Sequence, residues 1–146
     1  MTQKPSFALA ADHAGYQLKE YLKDWLIAQG HEVEDFGTYS DERCDYPDFA
    51  HPMADSVENG EHVFGLSVCG SGNGINITVN KHPGIRAAYC WNEEIATLAR
   101  EHNDANVCSL PARFLSEELA VAILKAFIAA DFEGGRHQER VDKIPL

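Results

Sequence analysis

The sequence predicts a three-layer α/β fold in which helices flank a five-stranded parallel sheet. Five short apolar runs alternate with segments of helical periodicity, which is typical of parallel sheets. The chain has 146 residues, of which 45% are hydrophobic, enough for one domain with its own core. No linker, repeat or low-complexity segment divides it, so residues 1–146 are expected to form a single domain.

The first half of the chain contains three predicted strands and two predicted helices. The strands cover residues 7–11, 31–36 and 63–69. The first helix lies between the first two strands and has one apolar stripe, formed by Leu18, Leu22, Trp25 and Leu26. Gly30 is expected to end this helix. The second helix extends from Pro47 to about Glu58, although Pro52 lies inside it and removes a helical amide.

The second half adds two strands, at residues 85–90 and 106–110, and three helices. A short helix covers residues 74–81, and Asn92 is expected to cap the next one. The last helix begins after Ser116 and extends to about residue 131. Its sequence, LAVAILKAFIAADF, is apolar on nearly all sides, which favours contact with a second chain. Deep burial within one chain is the alternative.

Composition excludes several classes of function. The net charge of −11 disfavours nucleic-acid binding, which needs a basic patch, but a local arginine cluster still permits a small anionic ligand. No apolar run is long enough for a membrane span, and the N-terminus lacks the apolar core of a signal peptide. The four cysteines are widely spaced, as expected of free thiols in a cytoplasmic protein rather than of a zinc or disulfide framework.

The segment SVCGSGNGI (67–75) is the best candidate for a functional site, because it places a cysteine and a glycine-rich loop at the end of a predicted strand. Glycines let backbone amides approach a ligand closely, either a phosphate or a developing oxyanion. A plain tight turn is the alternative. Cys69 lies beside the next helix, where a thiol is a candidate nucleophile or general base, or else a small core residue. Asp12 and His13 follow the first strand at the same edge of the predicted sheet.

Two further signals lie near the C-terminus. His102 falls on the apolar side of its helix, where it is either functional or a satisfied core residue. Arg136 and Arg140 share one side if their segment is helical, which suits a phosphate. Ion pairs with nearby glutamates in a solvated tail are the alternative. The remaining histidines are expected at the surface: His31, His51, His62, His82 and His137. Three cysteines have no predicted catalytic role: Cys44, Cys90 and Cys108.

Several motifs, in this order, resemble the family of type B ribose-5-phosphate isomerases and galactose-6-phosphate isomerase subunits. They are AADHAG (10–15), GT and DYP (37–38 and 45–47), CGSGNGI (69–75), NKHPGIRA (80–87), EHNDANV (101–107) and FEGGRHQERV (132–141). The resemblance covers nearly the whole chain. It implies a Rossmann-like fold and interconversion of ribose 5-phosphate and ribulose 5-phosphate through an enediolate, without metal or cofactor. It also implies a homodimer with shared active sites, or a tetramer, with the C-terminal helix and tail at the dimer interface.

The same resemblance assigns roles to individual residues. Cys69 is the implied base, and Ile75 stands where some relatives have a glutamate instead. The enediolate is stabilised by Ser71 and by the loop amides of Gly70, Gly72 and Gly74. Asp12 and His102 assist ring opening. The sugar contacts Tyr46, Asn73 and Asn103, and the phosphate contacts His13, Arg113, Arg136 and Arg140. His102 and Asn103 are expected to come from the partner chain.

Two alternatives to this function remain at this point. The first is isomerisation of a six-carbon sugar phosphate, allose 6-phosphate or galactose 6-phosphate, because the chemistry is the same and only the pocket length differs. The second is a non-catalytic module that binds a sugar phosphate or a nucleotide. Such a module needs the glycine loop but not the thiol of Cys69, so the cysteine favours an enzyme.

Overall fold

The computed structural model describes residues 3–146, so the first two residues of the predicted domain lie outside it. Five strands are present: β1 (Phe7–Ala11), β2 (Val33–Asp35), β3 (Phe64–Cys69), β4 (Ala87–Tyr89) and β5 (Val107–Pro111). They form one sheet in the order β2-β1-β3-β5-β4, and every pair of neighbours is parallel. The predicted five-stranded parallel sheet is therefore confirmed.

Helices cover both faces of the sheet. They are α1 (Tyr16–Ala28), α2 (Pro47–Glu58), α3 (Asn73–Val79), α4 (Glu93–Asn103), α5 (Glu117–Ala129) and α6 (Arg136–Asp142), with a 3₁₀ turn at Ala112–Phe114. α1, α4 and α5 enclose one apolar core, and α2 and α3 enclose the other. This gives the three predicted layers. No helix within residues 3–146 combines the length and apolarity needed to cross a bilayer.

The predicted helix ends are confirmed where the sequence supplies a capping residue. Asn92 Oδ1 accepts a hydrogen bond of 2.9 Å from the Ile95 amide at the start of α4. Ser116 Oγ does the same for the Leu119 amide at the start of α5, at 3.1 Å. Gly30 has φ +95° just after α1, a conformation that glycine adopts without a steric penalty.

The observed elements differ from the predicted ones mainly at the sheet edges. β2 and β4 are three residues long, whereas the strands predicted there, at 31–36 and 85–90, have six residues each. Each is an edge strand with one neighbour, and backbone hydrogen bonds to that neighbour continue a little beyond the strand, from Ala11 to Gly37 at 2.8 Å and from Cys90 to Ser109 at 3.0 Å. α2 continues through Pro52, which is exposed and lies in the second turn, so only one backbone hydrogen bond is lost.

α5 is buried within its own chain. It packs between α1 and α4, and its side chains at Ala120, Ile123, Leu124 and Phe127 are inaccessible to solvent. Beyond its first turn only Lys125 and Ala129 are exposed. Burial inside the chain therefore accounts for much of the apolar sequence of α5, and the expected contact of this helix with a second chain stays a prediction, because Val121, Ala126 and Ile128 are only half-buried.

A buried lysine fixes the segment that follows β2. The side chain of Lys19 on α1 is fully buried, and its Nζ donates to Asp35 Oδ2 at 2.6 Å. Burial opposes ionisation of Asp35, but hydrogen bonds from Lys19, the Gly37 amide and Lys23 hold the pKa of this carboxyl below its ordinary value. The Tyr39 hydroxyl also donates to the Asp35 carbonyl, at 2.9 Å. These contacts anchor the start of the loop at residues 36–46.

Candidate active site

A depression of about 340 Å³ opens at the carboxyl edge of the sheet. β1 and β3 are neighbours there, and the chain leaves them toward opposite faces, through α1 and α3. This arrangement creates a crevice, the usual ligand site in open parallel sheets. Its lining residues are Asp12, His13, Ala14, Tyr46, Cys69, Gly70, Ser71, Gly74 and Arg113. Eight of these nine residues were predicted from the sequence as site residues, all except Ala14.

Cys69 is the last residue of β3 and is only 4% exposed, within the wall of this depression. The chain then turns sharply through Gly72, which has φ +77° and caps α3. The first amides of a helix have no intrahelical partner, so the start of α3 presents donors beside the thiol. The turn is held by the Tyr89 hydroxyl, which donates to the Ser71 carbonyl at 2.8 Å, and by the Asn73 amide, which donates to Ser71 Oγ at 3.3 Å.

Two glycines leave room for large side chains that lie directly against the loop. A Cβ at Gly74 would collide with the ring of Tyr46, and a Cβ at Gly70 would lie 3.0 Å from Arg113 Nη1. The Gly70 carbonyl also accepts the Arg113 amide at 3.0 Å. Tyr46 and Arg113 therefore both lie against the loop. Gly72 and Asn73 do not line the depression, since Gly72 caps α3 and Asn73 begins it.

Asp12 and His13 follow β1, the strand next to β3, and line the same depression as the thiol. The Asp12 amide donates to the Val68 carbonyl at 3.3 Å, which places Asp12 beside the residue that precedes Cys69. Asp12 is 8% exposed, and its Oδ1 accepts the Gly15 amide at 3.0 Å. His13 Nδ1 lies 3.2 Å from both the amide nitrogen and the carbonyl oxygen of Cys44, so Nε2 is left for a ligand. Cys44 thus contributes its backbone, a role the sequence did not indicate.

His102 and Asn103 lie at the opposite edge of the sheet. α4 runs back toward the amino ends of the strands, and both residues are at its C-terminal end. Arg86, which precedes β4, donates to the Asn103 carbonyl at 2.9 Å. The paired part of β3, Gly65–Cys69, separates the two edges by about 13 Å, at roughly 3.3 Å per residue. Within one chain His102 therefore cannot act on a ligand held at Cys69.

His102 is accompanied at this amino edge by a second histidine. Its ring stacks on His137 of α6, with centroids 4.1 Å apart and planes within 10° of parallel. Glu133 Oε1 lies 3.4 Å from His137 Nε2 and 3.8 Å from His102 Nε2. Burial and the neighbouring His102 lower the pKa of His137. The surface position predicted for His137 is wrong, and so is that of His31, which is buried with Nδ1 2.7 Å from the Pro5 carbonyl oxygen.

Arg136 and Arg140 lie one turn apart on α6, which packs against α4. Both are exposed. Among residues 3–146 neither arginine forms an ion pair with a carboxylate, Glu133 and Glu139 included. The alternative of a self-paired charged tail is therefore not observed. His102, with 38% of its side chain exposed, lies near the same surface.

The sequence matches the family model described as Ribose/Galactose Isomerase over residues 7–144. The chain belongs to this family. Ribose-5-phosphate isomerase B of Escherichia coli (strain K12) is 45% identical over 137 residues, which is 94% of this chain and 92% of that protein. The family resemblance stated from the motifs is confirmed.

Solved structures agree with this assignment and with a Rossmann-like fold. A ribose 5-phosphate isomerase from Thermotoga maritima is 46% identical, with a TM-score of 0.95 and 97% of each chain covered. Ribose-5-phosphate isomerase B from Mycoplasma genitalium, solved with bound ribulose-5-phosphate, is 41% identical. Its TM-score is 0.91, over 95% of this chain and 93% of the other.

Proposed function

We propose that this chain is an aldose–ketose isomerase that interconverts ribose 5-phosphate and ribulose 5-phosphate, with Cys69 as the base. The observation that carries the proposal is the placement of the thiol and the glycine loop in one depression, together with Asp12 and His13. A family relative binds ribulose-5-phosphate, and a five-carbon sugar phosphate combines the anionic group and the carbonyl that such a site serves.

The chemistry follows from the contents of the depression. Cys69 removes the weakly acidic proton on C2, next to the carbonyl, and returns it to C1, while the hydroxyl proton of O2 passes to O1 of the same enediolate, so one base suffices for the carbon-bound proton. Negative charge then develops on the substrate oxygen. The amides of the turn and the hydroxyl of Ser71 stabilise that enediolate, and in known enzymes the loss of one such donor costs about 2.7–4 kcal/mol. Asp12 assists ring opening from the opposite wall.

The site is completed by the amino edge of a second copy of the chain. Ring opening needs an acid–base group such as His102, and the phosphate needs the exposed pair Arg136 and Arg140. All three residues lie at the amino edge of the sheet, whereas Cys69 of the same chain lies at the carboxyl edge. In a two-fold dimer each amino edge meets the partner's carboxyl edge, so two complete sites form at once. His13 and Arg113 hold the phosphate from one side, and the α6 arginines hold it from the other.

An apolar groove supports the location of this interface. It has a volume of about 740 Å³ and lies between the start of β4, the end of α4 and the C-terminal tail. Its apolar lining includes Ile85, Ala105, Val141, Ile144 and Pro145. Ile144 is 58% exposed in the single chain, and such surface is typical of an interface. The same proposal includes three further points: the chain forms a single domain, its C-terminal tail lies at the dimer interface, and the protein is cytoplasmic. A tetramer is the larger alternative to the dimer.

Mixing two inactive variants tests the shared site. Cys69→Ala removes the base from one edge and His102→Ala removes the acid–base group from the other. When the two are unfolded together and refolded, half of the dimers are mixed and each contains one intact site, so activity returns to about a quarter of the wild-type value. Activity that stays at the level of the separate variants would contradict a shared site, and the mass in solution distinguishes a dimer from a tetramer.

The substrate is tested by direct assay. We expect conversion of ribose 5-phosphate to the ketose, undiminished by a chelator, and much slower conversion of allose 6-phosphate and galactose 6-phosphate. Faster turnover of a six-carbon substrate would contradict the five-carbon assignment. Binding of all three compounds without turnover would instead identify a non-catalytic sugar-phosphate module.

A further inference from the structure

Three metal-ligating side chains meet on the face of the sheet that α2 and α3 cover. Asp55 and Glu58 are one turn apart on α2, and His82 lies in the segment between α3 and β4. His82 Nδ1 is 3.3 Å from Asp55 Oδ1 and 3.4 Å from Glu58 Oε1. None of the three lines the depression that contains Cys69. The proposed isomerase mechanism gives none of the three a catalytic role, although His82 also lines the apolar groove assigned above to the dimer interface.

The spacing of the three donor atoms fits a bound metal ion. A charge-assisted hydrogen bond between imidazole and carboxylate is about 2.7–2.9 Å long, so separations of 3.3 and 3.4 Å are too long for strong bonds of that kind. Donors that lie about 2.0–2.1 Å from a tetrahedral ion are roughly 3.3–3.4 Å from one another. The separations from His82 Nδ1 to the two carboxylates are therefore those of a tetrahedral site, and the three donor atoms all lie within 4.8 Å of one another.

The surrounding groups support the same function. His82 Nε2 lies 2.7 Å from His51 Nδ1, and Glu58 Oε2 accepts the Gly84 amide at 2.5 Å. Metal sites are commonly built this way, with the second nitrogen of the histidine and the second oxygen of the carboxylate held by hydrogen bonds. When His82 Nε2–H donates to His51, the lone pair on His82 Nδ1 faces the two carboxylates, as metal binding requires.

The charge of the cluster also favours a cation. Two carboxylates and a neutral imidazole carry a net charge of −2. Among residues 3–146 no lysine or arginine forms an ion pair with either Asp55 or Glu58. A divalent ion would neutralise this charge and would link α2 to the segment that precedes β4.

We propose that Asp55, Glu58 and His82 bind a divalent transition metal ion of the zinc type, with water at the fourth position. The imidazole selects against Mg²⁺ and Ca²⁺, which prefer oxygen ligands throughout. The wide spacing of the cysteines and the family resemblance both predict a protein without a metal ion, and neither bears on this cluster. This site instead combines two carboxylates of α2 with a histidine that is 24 or more positions further along the chain and meets them only after folding.

Zinc titration of the metal-free protein, in competition with a chromophoric chelator, tests the site. We expect Asp55→Asn and His82→Gln each to lose one zinc equivalent that the wild type binds. Asp55 has 61% of its side chain exposed, so Asp55→Asn leaves the fold intact even if His82→Gln does not. His51→Ala removes only the supporting hydrogen bond and is expected to weaken zinc binding by about 10–100-fold.

A matched control comes from the other cluster of ligating residues, His102, Glu133 and His137. Glu133→Gln should leave the zinc equivalent of the α2 site in place, and anomalous scattering from zinc-soaked crystals should locate the ion between Asp55 and His82. Equal zinc affinity of the wild type, Asp55→Asn and His82→Gln would overturn the proposal, as would anomalous signal found only elsewhere. Isomerase activity is a separate readout, because failure of the proposed function would not alter zinc binding here.

Discussion

The two edges of the sheet carry different halves of the chemistry. At the carboxyl edge, Cys69 and Asp12 are almost fully buried and are held by strand register and backbone hydrogen bonds. At the amino edge, the exposed Arg136 and Arg140 stand on a short helix, free of ion pairs to carboxylates within residues 3–146. Proton transfer needs a base fixed within a few tenths of an ångström, which the sheet provides. Binding of a phosphate across the proposed dimer interface needs exposed positive charges that can contact the partner chain, and α6 provides them.

The largest expected loss of activity follows from removal of the base at the carboxyl edge. Cys69→Ala should lower kcat by about 10²–10⁴-fold, because no other side chain in the depression takes the place of Cys69 as acceptor of the carbon-bound proton. Ribose 5-phosphate should still bind, since the phosphate contacts are unchanged. Cys69→Ser should be nearly as inactive because a hydroxyl is a far weaker base. Steady-state rates and calorimetric binding check this, with Cys44→Ala as the control, and near-normal turnover of Cys69→Ala would refute the mechanism.

At the amino edge, His102→Ala should impair ring opening more than proton transfer. We expect conversion of ribose 5-phosphate to fall by about 10²-fold, the lower end of the range for acid–base groups. An aldotetrose 4-phosphate cannot close a furanose ring, because its O4 carries the phosphate, so its conversion should fall much less. Rates for both substrates in the same preparation provide the measurement. Equal losses would show that His102 acts in another step.

Arg136→Ala and Arg140→Ala should each raise KM by about 10–100-fold, the contribution expected of a hydrogen bond to a charged group. The effect on kcat should be smaller because the phosphate does not react. Lys143→Ala, a change of charge just after α6, is the matched control. If each site belonged to one chain, these substitutions would not alter KM. Unchanged KM values for both arginine variants would therefore show that the phosphate binds elsewhere.

The stacked histidines predict a smaller, pH-dependent effect. The pKa of His137 is lowered in the folded state, so below its ordinary value of 6.5 the unfolded chain binds a proton more readily than the folded chain. His137 therefore reduces stability as the pH falls through 6.5. Urea unfolding of His137→Asn should show a shallower loss of stability over this interval, while the control His51→Asn should follow the wild type. Parallel curves for all three proteins would mean that His137 titrates alike in both states.

Much of the architecture could be predicted from the sequence because its signals are local. Apolar runs located the five strands, and Asn92 and Ser116 located the helix starts. The glycine loop also carries its own signal, since Gly70 and Gly74 are required wherever Arg113 and Tyr46 pack against the backbone. Strand ends at the sheet edges were less predictable, because pairing with a single neighbour decides them.

The features that the sequence did not predict depend on residues far apart in the chain. The burial of His137 requires His102 on another helix, and the cluster around His82 requires α2. The burial of Lys19 requires Asp35, sixteen positions away, and no charge pattern in the helix indicates it. The sequence contains one local signal for the environment of His137: Glu133 lies four residues earlier, and its carboxylate is 3.4 Å from the imidazole.

Lys19 also provides a natural reporter of motion. Its buried amine forms ion pairs with Asp35 and Glu20 and lies 5.8 Å from the ring centroid of Tyr39. Lys143, in contrast, is exposed. An acylating reagent can therefore reach Lys19 only while the segment above it swings away. The ratio of labelling at the two lysines, followed by mass spectrometry, therefore measures how often the contacts of Lys19 with Asp35 and Glu20 open.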